Sequence, residues 1–412
     1  MAGVVPAFAA SPSSTAEASA LLRAAAAAGL AVVPRGAGTG LAWGSPPSRC
    51  DLVVDLRSMN QVIEHTAGDL VARVQAGATI GQLAAALAEA GQQLALDAPE
   101  DATVGGVVAT GTAGPRRFRY GAPRDMLIGL TMVRADGVIA HSGGKVVKNV
   151  AGYDIGKLFS GSQGTLGLIT EVTFRLHPLP AAVAWVTAEF GPADRDGAVA
   201  AIAAAAGSPL VPSAVELDWP AGSPQSSRAL RVGVLLEGTS SGVAERAKQM
   251  SELLEAAGGS AGIRETAPAR WGQLPSPSTV IRVSFWVSAL GSVLDALAAA
   301  GASAGVRPAV TGQAGAGALY ACLAPSAPSA PSAPRGPATG DEADVRFVTE
   351  LRERLSGATG SAGPRGSVAV LAAPPTVLAA ARDATVSGSA LMRAVKDQFD
   401  PDHRMFPGRE GD

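Results

Sequence analysis

Glycine-dense segments at the ends of predicted strands most constrain what this 412-residue chain can fold into. Glycine lets the backbone approach a neighbour closely and adopt positive φ values, both of which are costly for other residues. Plain turns do not need so many glycines, whereas one large diphosphate-bearing ligand held by several loops explains all of the segments together. The segments are Pro34–Gly40, Thr103–Gly106, Gly111–Gly114, Tyr120–Gly121 and Gly161–Gly167.

The first of these segments follows a predicted strand, as the dinucleotide-binding loop of a Rossmann fold does. That loop needs a further glycine at the position of Leu41 and a helix that begins within the loop. Pro46 and Pro47 forbid a helix there. We therefore reject a Rossmann fold, although Asp55 stands at a suitable distance to bind a ribose. Consecutive backbone N–H groups of Gly36–Gly40 are expected instead to wrap a pyrophosphate.

Length and element order predict two domains, residues 1–180 and residues 181–412. In the first, short strands and helices alternate with glycine-dense stretches, and residues 99–121 are predicted to be loop. The second follows the order β-α-β-β-α with a further strand and helix, which suits an antiparallel sheet backed by helices. The predicted fold class is therefore α+β. The Pro/Ala/Ser-rich tract 324–340 is predicted to be a surface insertion without packed structure.

Composition argues against several classes of protein. The chain has 33 basic and 35 acidic residues, so no global field would recruit nucleic acid or an anionic membrane. Neither a signal peptide nor a membrane span is predicted, and a cytoplasmic protein is expected. Cys50 and Cys322 are too few for an iron–sulfur cluster, which needs about four ligands, and are predicted to be buried thiols. The histidines form no motif at metal-ligand spacing, so no metal is expected.

Taken as a set, the glycine segments resemble the vanillyl-alcohol-oxidase-type, or PCMH-type, FAD-binding domain. More narrowly, Val104–Arg117 and Lys148–Asp154 resemble the FAD-binding E subunit of glycolate oxidase. The resemblance covers about residues 15–180; in the second half it is limited to layout and to the final Pro407-Gly408-Arg409. It implies a two-part FAD-binding domain followed by an α+β cap domain.

The resemblance also implies which residues hold FAD. The first segment would hold the pyrophosphate, the others would follow the cofactor's length, and Ile169 would bond the adenine end through its backbone. Relatives with covalent flavin carry a histidine at the position of Thr39, so noncovalent FAD is expected. The candidate cofactor-binding residues are Pro34, Arg35, Gly36, Ala37, Gly38, Thr39, Gly40, Thr103, Gly105, Gly106, Gly111, Thr112, Gly114, Tyr120, Gly121, Gly164, Thr165, Gly167 and Ile169.

By the same resemblance, the chain is expected to be the flavin-carrying subunit of a glycolate oxidase complex, which converts glycolate to glyoxylate. A paralogous flavoprotein subunit would oxidise the substrate, and an iron–sulfur subunit would take the electrons onward. Association with a membrane would occur only through these partners. Two alternatives stay open: a stand-alone FAD-dependent 2-hydroxy-acid dehydrogenase of the D-lactate type, and a flavin-free interaction subunit.

The sequence assigns no catalytic residue. Relatives that oxidise 2-hydroxy acids carry a histidine-rich motif in the C-terminal domain, whereas here His403 is the one histidine after residue 177. A stand-alone enzyme would need Arg and Tyr residues in its place, and His403 is kept as a candidate near the flavin. Phe406 stands before Pro407 where relatives usually carry an asparagine. The cluster Arg116–Arg119 is either solvated or contacts phosphate or an acidic partner.

Overall fold

The chain is described by a computed structural model and divides into two compact units. The first unit is Met1–Ala113, Tyr120–Leu179 and Thr385–Asp412, and the second is Gly114–Arg119 and Pro180–Ala384. The described residues are 4–145, 153–221, 229–274, 279–324, 340–356, 366–381 and 389–409. Most of the motif Lys148–Asp154 and of the tract 324–340 therefore lies outside the described residues.

Helices and short strands alternate along both units. The α-helices are α1 (Thr15–Ala27), α2 (Ile80–Ala88), α3 (Val104–Thr110), α4 (Arg117–Tyr120), α5 (Pro123–Met126), α6 (Ile155–Phe159), α7 (Arg195–Ala206), α8 (Ser240–Ala256), α9 (Leu290–Ala304), α10 (Gly340–Leu355), α11 (Pro375–Ala381) and α12 (Ser389–Phe399). Single 3₁₀ turns occur at Ala67–Asp69, Val287–Ala289 and Ala314–Ala316. The strands are β1 (Phe8–Ala10), β2 (Val32–Arg35), β3 (Leu52–Asp55), β4 (Val62–Thr66), β5 (Val71–Gln75), β6 (Gln92–Gln93), β7 (Leu127–Val133), β8 (Ile139–Gly143), β9 (Leu168–Arg175), β10 (His177–Pro178), β11 (Ala182–Phe190), β12 (Ala214–Trp219), β13 (Leu230–Gly238), β14 (Ser260–Arg264), β15 (Thr279–Phe285), β16 (Ala309–Gly312), β17 (Ala318–Leu323) and β18 (Gly366–Ala372).

The first unit contains a small parallel sheet and a larger antiparallel one. The parallel sheet has the order β1-β3-β2, and the five-stranded antiparallel sheet has the order β4-β5-β9-β7-β8. Strands β7 and β8 form a hairpin that turns at Gly137, whose φ of +83° suits a tight turn. No helix occurs within residues 36–51, all of which the structure describes, so the rejection of a Rossmann fold is confirmed.

The last residues of the chain return to the first unit, which the predicted boundary at residue 180 did not foresee. Met405 is fully buried in the core of this unit and bridges to Val32 in parallel register. The backbone N–H of Val32 donates to the carbonyl of Arg404 at 2.8 Å, and that of Phe406 donates to Val32 at 2.8 Å. These residues therefore extend the parallel sheet beyond β2, which is why they belong to the first unit.

The second unit is an eight-stranded sheet with helices on one face. Its order is β14-β11-β13-β12-β16-β17-β15-β18, and its recorded pairings are antiparallel. Along β11, alternate residues such as Val186 and Phe190 are buried in the core under the helices, as a period of two requires. The predicted α+β class, an antiparallel sheet backed by helices, is confirmed. Strands β14, β16 and β17 were not predicted.

Helix α3 lies inside the stretch 99–121 that was predicted to be loop, so that prediction was wrong. Two glycines in its first turn make it a poor helix by propensity, since each costs about 1 kcal/mol relative to alanine. Close packing requires one of them, because a Cβ on Gly105 would lie 2.7 Å from the Cβ of Ala76. Thr103 caps the helix by accepting from the N–H of Gly106 at 3.4 Å.

The segment Val287–Ala304 has the length and hydropathy of a membrane-crossing helix, although no span was predicted. Its α9 portion packs Val293, Leu294 and Leu297, all fully buried, into the core of the second unit. This is the pattern of a core helix, which the same length and composition also describe.

Both cysteines are buried and free, as predicted. Burial raises the pKa of Cys322 to about 11. Burial, followed by the charge of neighbouring Asp51, also raises the pKa of Cys50.

We therefore expect neither thiol to react with Ellman's reagent at about pH 8, because the reactive thiolate is scarce and inaccessible there. Denatured protein should give both thiols. Rapid reaction of one thiol per chain in the native protein would contradict this burial.

Candidate functional site

A cleft in the first unit is lined by segments that are far apart in the sequence. Its empty volume, counted out to open solvent, is about 710 Å³. The lining residues are Pro34, Arg35, Gly36, Ala37, Gly38, Thr39, Gly40, Leu41, Leu56, Ala76, Thr103, Gly105, Gly106, Ala109, Thr110, Gln163, Gly164, Gly167, Ile169, Phe406 and Arg409.

The loop after β2 offers the cleft a row of backbone donors. None of the N–H groups of Gly36–Gly40 donates a hydrogen bond to another described residue. Gly38 has a φ of +91°, a value that side chains rarely tolerate. Such a run of free N–H groups is the donor set that an anionic group such as a diphosphate requires.

Positive side chains accompany this row of donors. The charged side chains among the lining residues are Arg35 and Arg409. The Nε of Arg35 is buried and has no hydrogen-bond partner among the described residues. It lies near the loop, because a Cβ on Gly38 would come within 3.7 Å of it. A buried donor without an acceptor costs free energy, so this atom also points to an anionic ligand.

The glycines of the cleft are needed first for contact between loops. A Cβ on Gly36 would lie 2.0 Å from the Oγ1 of Thr103, and one on Gly40 would lie 2.7 Å from Thr110. On the other side, a Cβ on Gly164 would lie 3.3 Å from Pro34. The sequence suggested that glycine serves the approach of a ligand. The structure adds that glycine brings the walls of the cleft against one another.

Asp55, the acid at the sequence spacing expected of a ribose-binding residue, does not line the cleft. Asp55 accepts hydrogen bonds from the Nε of Arg57 at 2.9 Å and from its Nη2 at 2.6 Å. These bonds lower the pKa of Asp55 below its usual value. The charge of its carboxylate is therefore already paired with the guanidinium of Arg57. This arrangement agrees with the rejection of a Rossmann fold.

Some candidate residues do not line the cleft. Tyr120 packs edge-on against His177, with ring centroids 4.7 Å apart. The hydroxyl of Thr165 donates to the carbonyl of Ser162 at 2.7 Å, and that of Thr112 bonds to Thr110 at 2.6 Å. Gly111 ends α3 in the left-handed conformation, and Gly114 belongs to the second unit. Gly121, with a φ of +87°, is likewise not among the lining residues.

His403 also stands away from the cleft. Its Nε2 bonds to Asp397 at 2.9 Å, and its side chain is 45% exposed. The residues that sequence analysis missed include Gln163, Phe406 and Arg409. The terminal motif around Pro407 was the one available signal for the last two, and only the fold shows that it reaches the cleft.

The second unit carries a polar row on the sheet face away from its helices. Ile281 and Val283 point into the helix-covered core, so Arg282 between them points to the opposite face. Tyr320 pairs directly with Arg282 on one side and with Thr311 on the other. The Nε of Arg282 is buried without a hydrogen-bond partner among the described residues.

The electrostatics of this row keep the phenol protonated. Burial raises the pKa of Tyr320, while the positive charges of Arg282 and Arg117 oppose this and Glu216 adds to it. A protonated phenol beside two guanidinium groups can donate hydrogen bonds to a small anion. Arg117, from the predicted arginine cluster, therefore has a position near Tyr320 within the second unit.

Metal ligation is a separate question. The described residues contain no group of three or more His, Cys, Asp and Glu side chains placed to hold a metal ion.

Comparisons with known proteins identify the cofactor. Residues 6–143 match the FAD binding domain family. The chain is 41% identical over 155 residues to the glycolate oxidase subunit GlcD of Bacillus subtilis, covering 36% of this chain and 32% of that protein. It is 39% identical over 132 residues to the glycolate oxidase subunit GlcE of Escherichia coli, covering 31% and 38%. Its fold is similar to that of p-cresol methylhydroxylase, with a TM-score of 0.74 at 18% identity over 98% and 88% of the two chains.

These findings agree with the geometry of the cleft. The first unit has the PCMH-type FAD-binding fold, and FAD is its cofactor. The free N–H groups and the unpartnered Nε of Arg35 fit the diphosphate of FAD. The chain spans less than half the length of the curated relatives it matches. Similarity extends to both glycolate oxidase subunits at nearly equal identity, so it does not single out the E subunit.

We expect Gly36→Ala to weaken FAD binding, because the added Cβ would push Thr103 and the loop apart. The backbone of Gly36 itself tolerates alanine, since its φ is not positive. Overpacking costs about 1–3 kcal/mol, which corresponds to a dissociation constant about 5- to 150-fold higher.

Flavin fluorescence titration of the apoprotein measures this constant. Gly68→Ala is the matched control, because a Cβ there meets no atom within 4 Å and the position is exposed. Equal FAD affinity in the two variants would show that the loop contact does not shape the site.

Proposed function

We propose that this chain is an FAD-dependent oxidoreductase acting on the CH–OH group of 2-hydroxy acids, and that it is the flavin-carrying subunit of a complex that oxidises glycolate to glyoxylate. The observation that carries the proposal is the cleft of the first unit, whose free backbone donors and unpartnered, buried Nε of Arg35 fit the diphosphate of FAD. Similarity to both the GlcD and the GlcE subunits supports the substrate class and a multi-subunit assembly.

The chain's own part in this chemistry is binding and orientation. When bound, FAD supplies an acceptor for the hydride of the carbon that carries the hydroxyl. The N–H groups of Gly36–Gly40 and the guanidinium of Arg35 hold the diphosphate, and the wall formed by Gly164 and Ile169 lies along the same cleft. Thr39, which stands where relatives with covalent flavin carry a histidine, lines the cleft. Because threonine cannot form that covalent bond, noncovalent binding of FAD stays a prediction.

The rest of the complex is part of the same proposal. A paralogous flavoprotein subunit oxidises the substrate, and an iron–sulfur subunit takes the electrons. Cys50 and Cys322 are both buried and free, and two cysteines are too few for a cluster, which needs about four ligands. The complex would be cytoplasmic, with contact to the inner face of the membrane through the partners.

The polar row of the second unit favours a second candidate, a stand-alone 2-hydroxy-acid dehydrogenase. A carboxylate substrate needs a cation, and Arg282 has a buried Nε without a partner. The protonated phenol of Tyr320 would donate to the same carboxylate or to the hydroxyl. The row continues across the sheet, because Thr311 pairs with Asp218, Asp218 with Arg231, and Arg231 with Glu189 in the strand register. This part is already neutralised, since Arg231 forms ion pairs with Glu189 at 2.9 Å and with Asp218 at 3.5 Å.

Anaerobic mixing of the isolated, FAD-loaded chain with glycolate separates the two candidates. For a subunit that needs its catalytic partner, the flavin absorbance of the isolated chain should stay unchanged, and bleaching should require the partner subunits. Bleaching of the isolated chain by glycolate or D-lactate would establish the stand-alone enzyme. A chain that bleaches under neither condition would exclude both.

For the stand-alone candidate, Arg282→Ala should raise the KM for the hydroxy acid about 10- to 100-fold, as loss of a hydrogen bond to a charged group does. Arg231→Ala is the control, because this arginine lies in the same row but is paired with Glu189 and Asp218. Steady-state kinetics would measure the KM of both variants, with their FAD content measured in parallel. An unchanged KM in Arg282→Ala would remove this row from substrate binding.

A further inference from the structure

We propose that Arg409, almost at the end of the chain, is the positioning residue of the FAD site: its guanidinium holds the cleft-lining loops in the arrangement that binds the cofactor. This inference concerns FAD binding alone and holds whichever hydroxy acid is oxidised.

The guanidinium of Arg409 is buried among acceptors from two loops. Its Nη2 donates to the carbonyl of Gly40 at 3.0 Å, and its Nη1 donates to Leu41 at 3.1 Å and to Ser45 at 3.4 Å. Its Nε donates to the Oε1 of Gln163 at 2.8 Å. The residue is only 6% exposed, so the four bonds form away from water. Loss of the guanidinium would leave these acceptors buried and unpaired.

The three carbonyl groups define the shape of the loop after β2. The N–H of Leu41 donates to Gly38, and that of Trp43 donates to Gly40, both at 3.1 Å, so the segment forms two successive turns. Arg409 bonds the carbonyl of Gly40, which also closes the second turn, the carbonyl of Leu41 within that turn, and the carbonyl of Ser45 beyond it. The N–H groups of Gly36–Gly40 are thereby left free to face a ligand.

Gln163 connects the same clamp to the opposite wall of the cleft. This residue has a φ of +54°, and its backbone N–H donates to the carbonyl of Ala109 at 2.7 Å. Ala109 belongs to α3 and also lines the cleft. A continuous path of hydrogen bonds therefore runs from the first loop through Arg409 and Gln163 to α3.

The chain before Arg409 fixes its position. The backbone N–H of Ser48 donates to the carbonyl of Pro407 at 2.8 Å, and the guanidinium lies 4.5 Å from the ring centroid of Phe406. Lys396, from α12, donates to Thr165 at 2.7 Å and to Met405 at 2.9 Å. The tail is thus held at Met405 and Pro407, and Arg409 reaches the loops from a fixed backbone.

A lysine cannot replace this guanidinium. Arginine presents five donors in a planar fork, whereas the ammonium group of lysine is a compact charge with three donors. The four acceptors around Arg409 are spread over two loops, so one ammonium cannot reach all of them.

The test compares Arg409→Lys with Arg404→Lys. Arg404 lies in the same tail, is also 6% exposed, and donates to Ala135 at 2.7 Å and to Leu30 at 3.4 Å, neither of which lines the cleft. The dissociation constant of FAD is measured by fluorescence titration of the full-length apoproteins, together with their thermal unfolding midpoints. We expect Arg409→Lys to raise this constant about tenfold or more relative to Arg404→Lys, while the two midpoints remain similar.

Equal dissociation constants in the two variants would overturn the proposal. So would a loss of FAD affinity that in both variants is accompanied, to the same extent, by a lower thermal unfolding midpoint. Should Arg409→Lys fail to fold, Gln163→Met removes one acceptor at similar volume. That variant should raise the dissociation constant about threefold or more, and wild-type affinity in it would also overturn the clamp. Because none of these measurements uses glycolate, they are independent of whether the proposed activity is correct.

Discussion

The close approach of backbone segments that carry no side chains is the constraint on which the cofactor site depends. Gly36 leaves room for Thr103 where any Cβ would overlap it, and Gly40 does the same for Thr110. Thr103 in turn caps α3, which forms another wall. The width of the cleft, the cap of the helix and the direction of the free N–H groups therefore follow from the same missing side chains.

This construction explains why the site depends on residues from both ends of the chain. Main-chain donors bind a diphosphate well only if their peptide planes are held in place. Arg409 supplies that support through its bonds to the carbonyl of Gly40 and to the side chain of Gln163, and all three residues line the cleft. Folding of the last described residues onto β2 is therefore part of forming the cofactor site, not an addition to it.

The two units use different chemistry. The first presents a row of backbone N–H groups together with the side chains of Arg35 and Arg409, which suits the diphosphate of a cofactor. The second presents side chains on a sheet face, where Arg231 is neutralised by Glu189 and Asp218, while the Nε of Arg282 has no hydrogen-bond partner among the described residues. Under the second candidate function, the unit that binds FAD and the unit that offers a cation for a small acid are separate parts of one chain.

The sequence by itself determined the features that local chemistry encodes. The rejection of a helix after β2, the antiparallel sheet backed by helices and the importance of the glycine loops follow from proline, element order and φ preferences. Only the tertiary structure showed that α3 is a helix despite Gly105, that Tyr120 packs on His177, and that Arg409 reaches the cleft. These features depend on contacts between residues far apart in the chain, and a local pattern carries no information about which distant side chain will fill a space or complete a hydrogen bond.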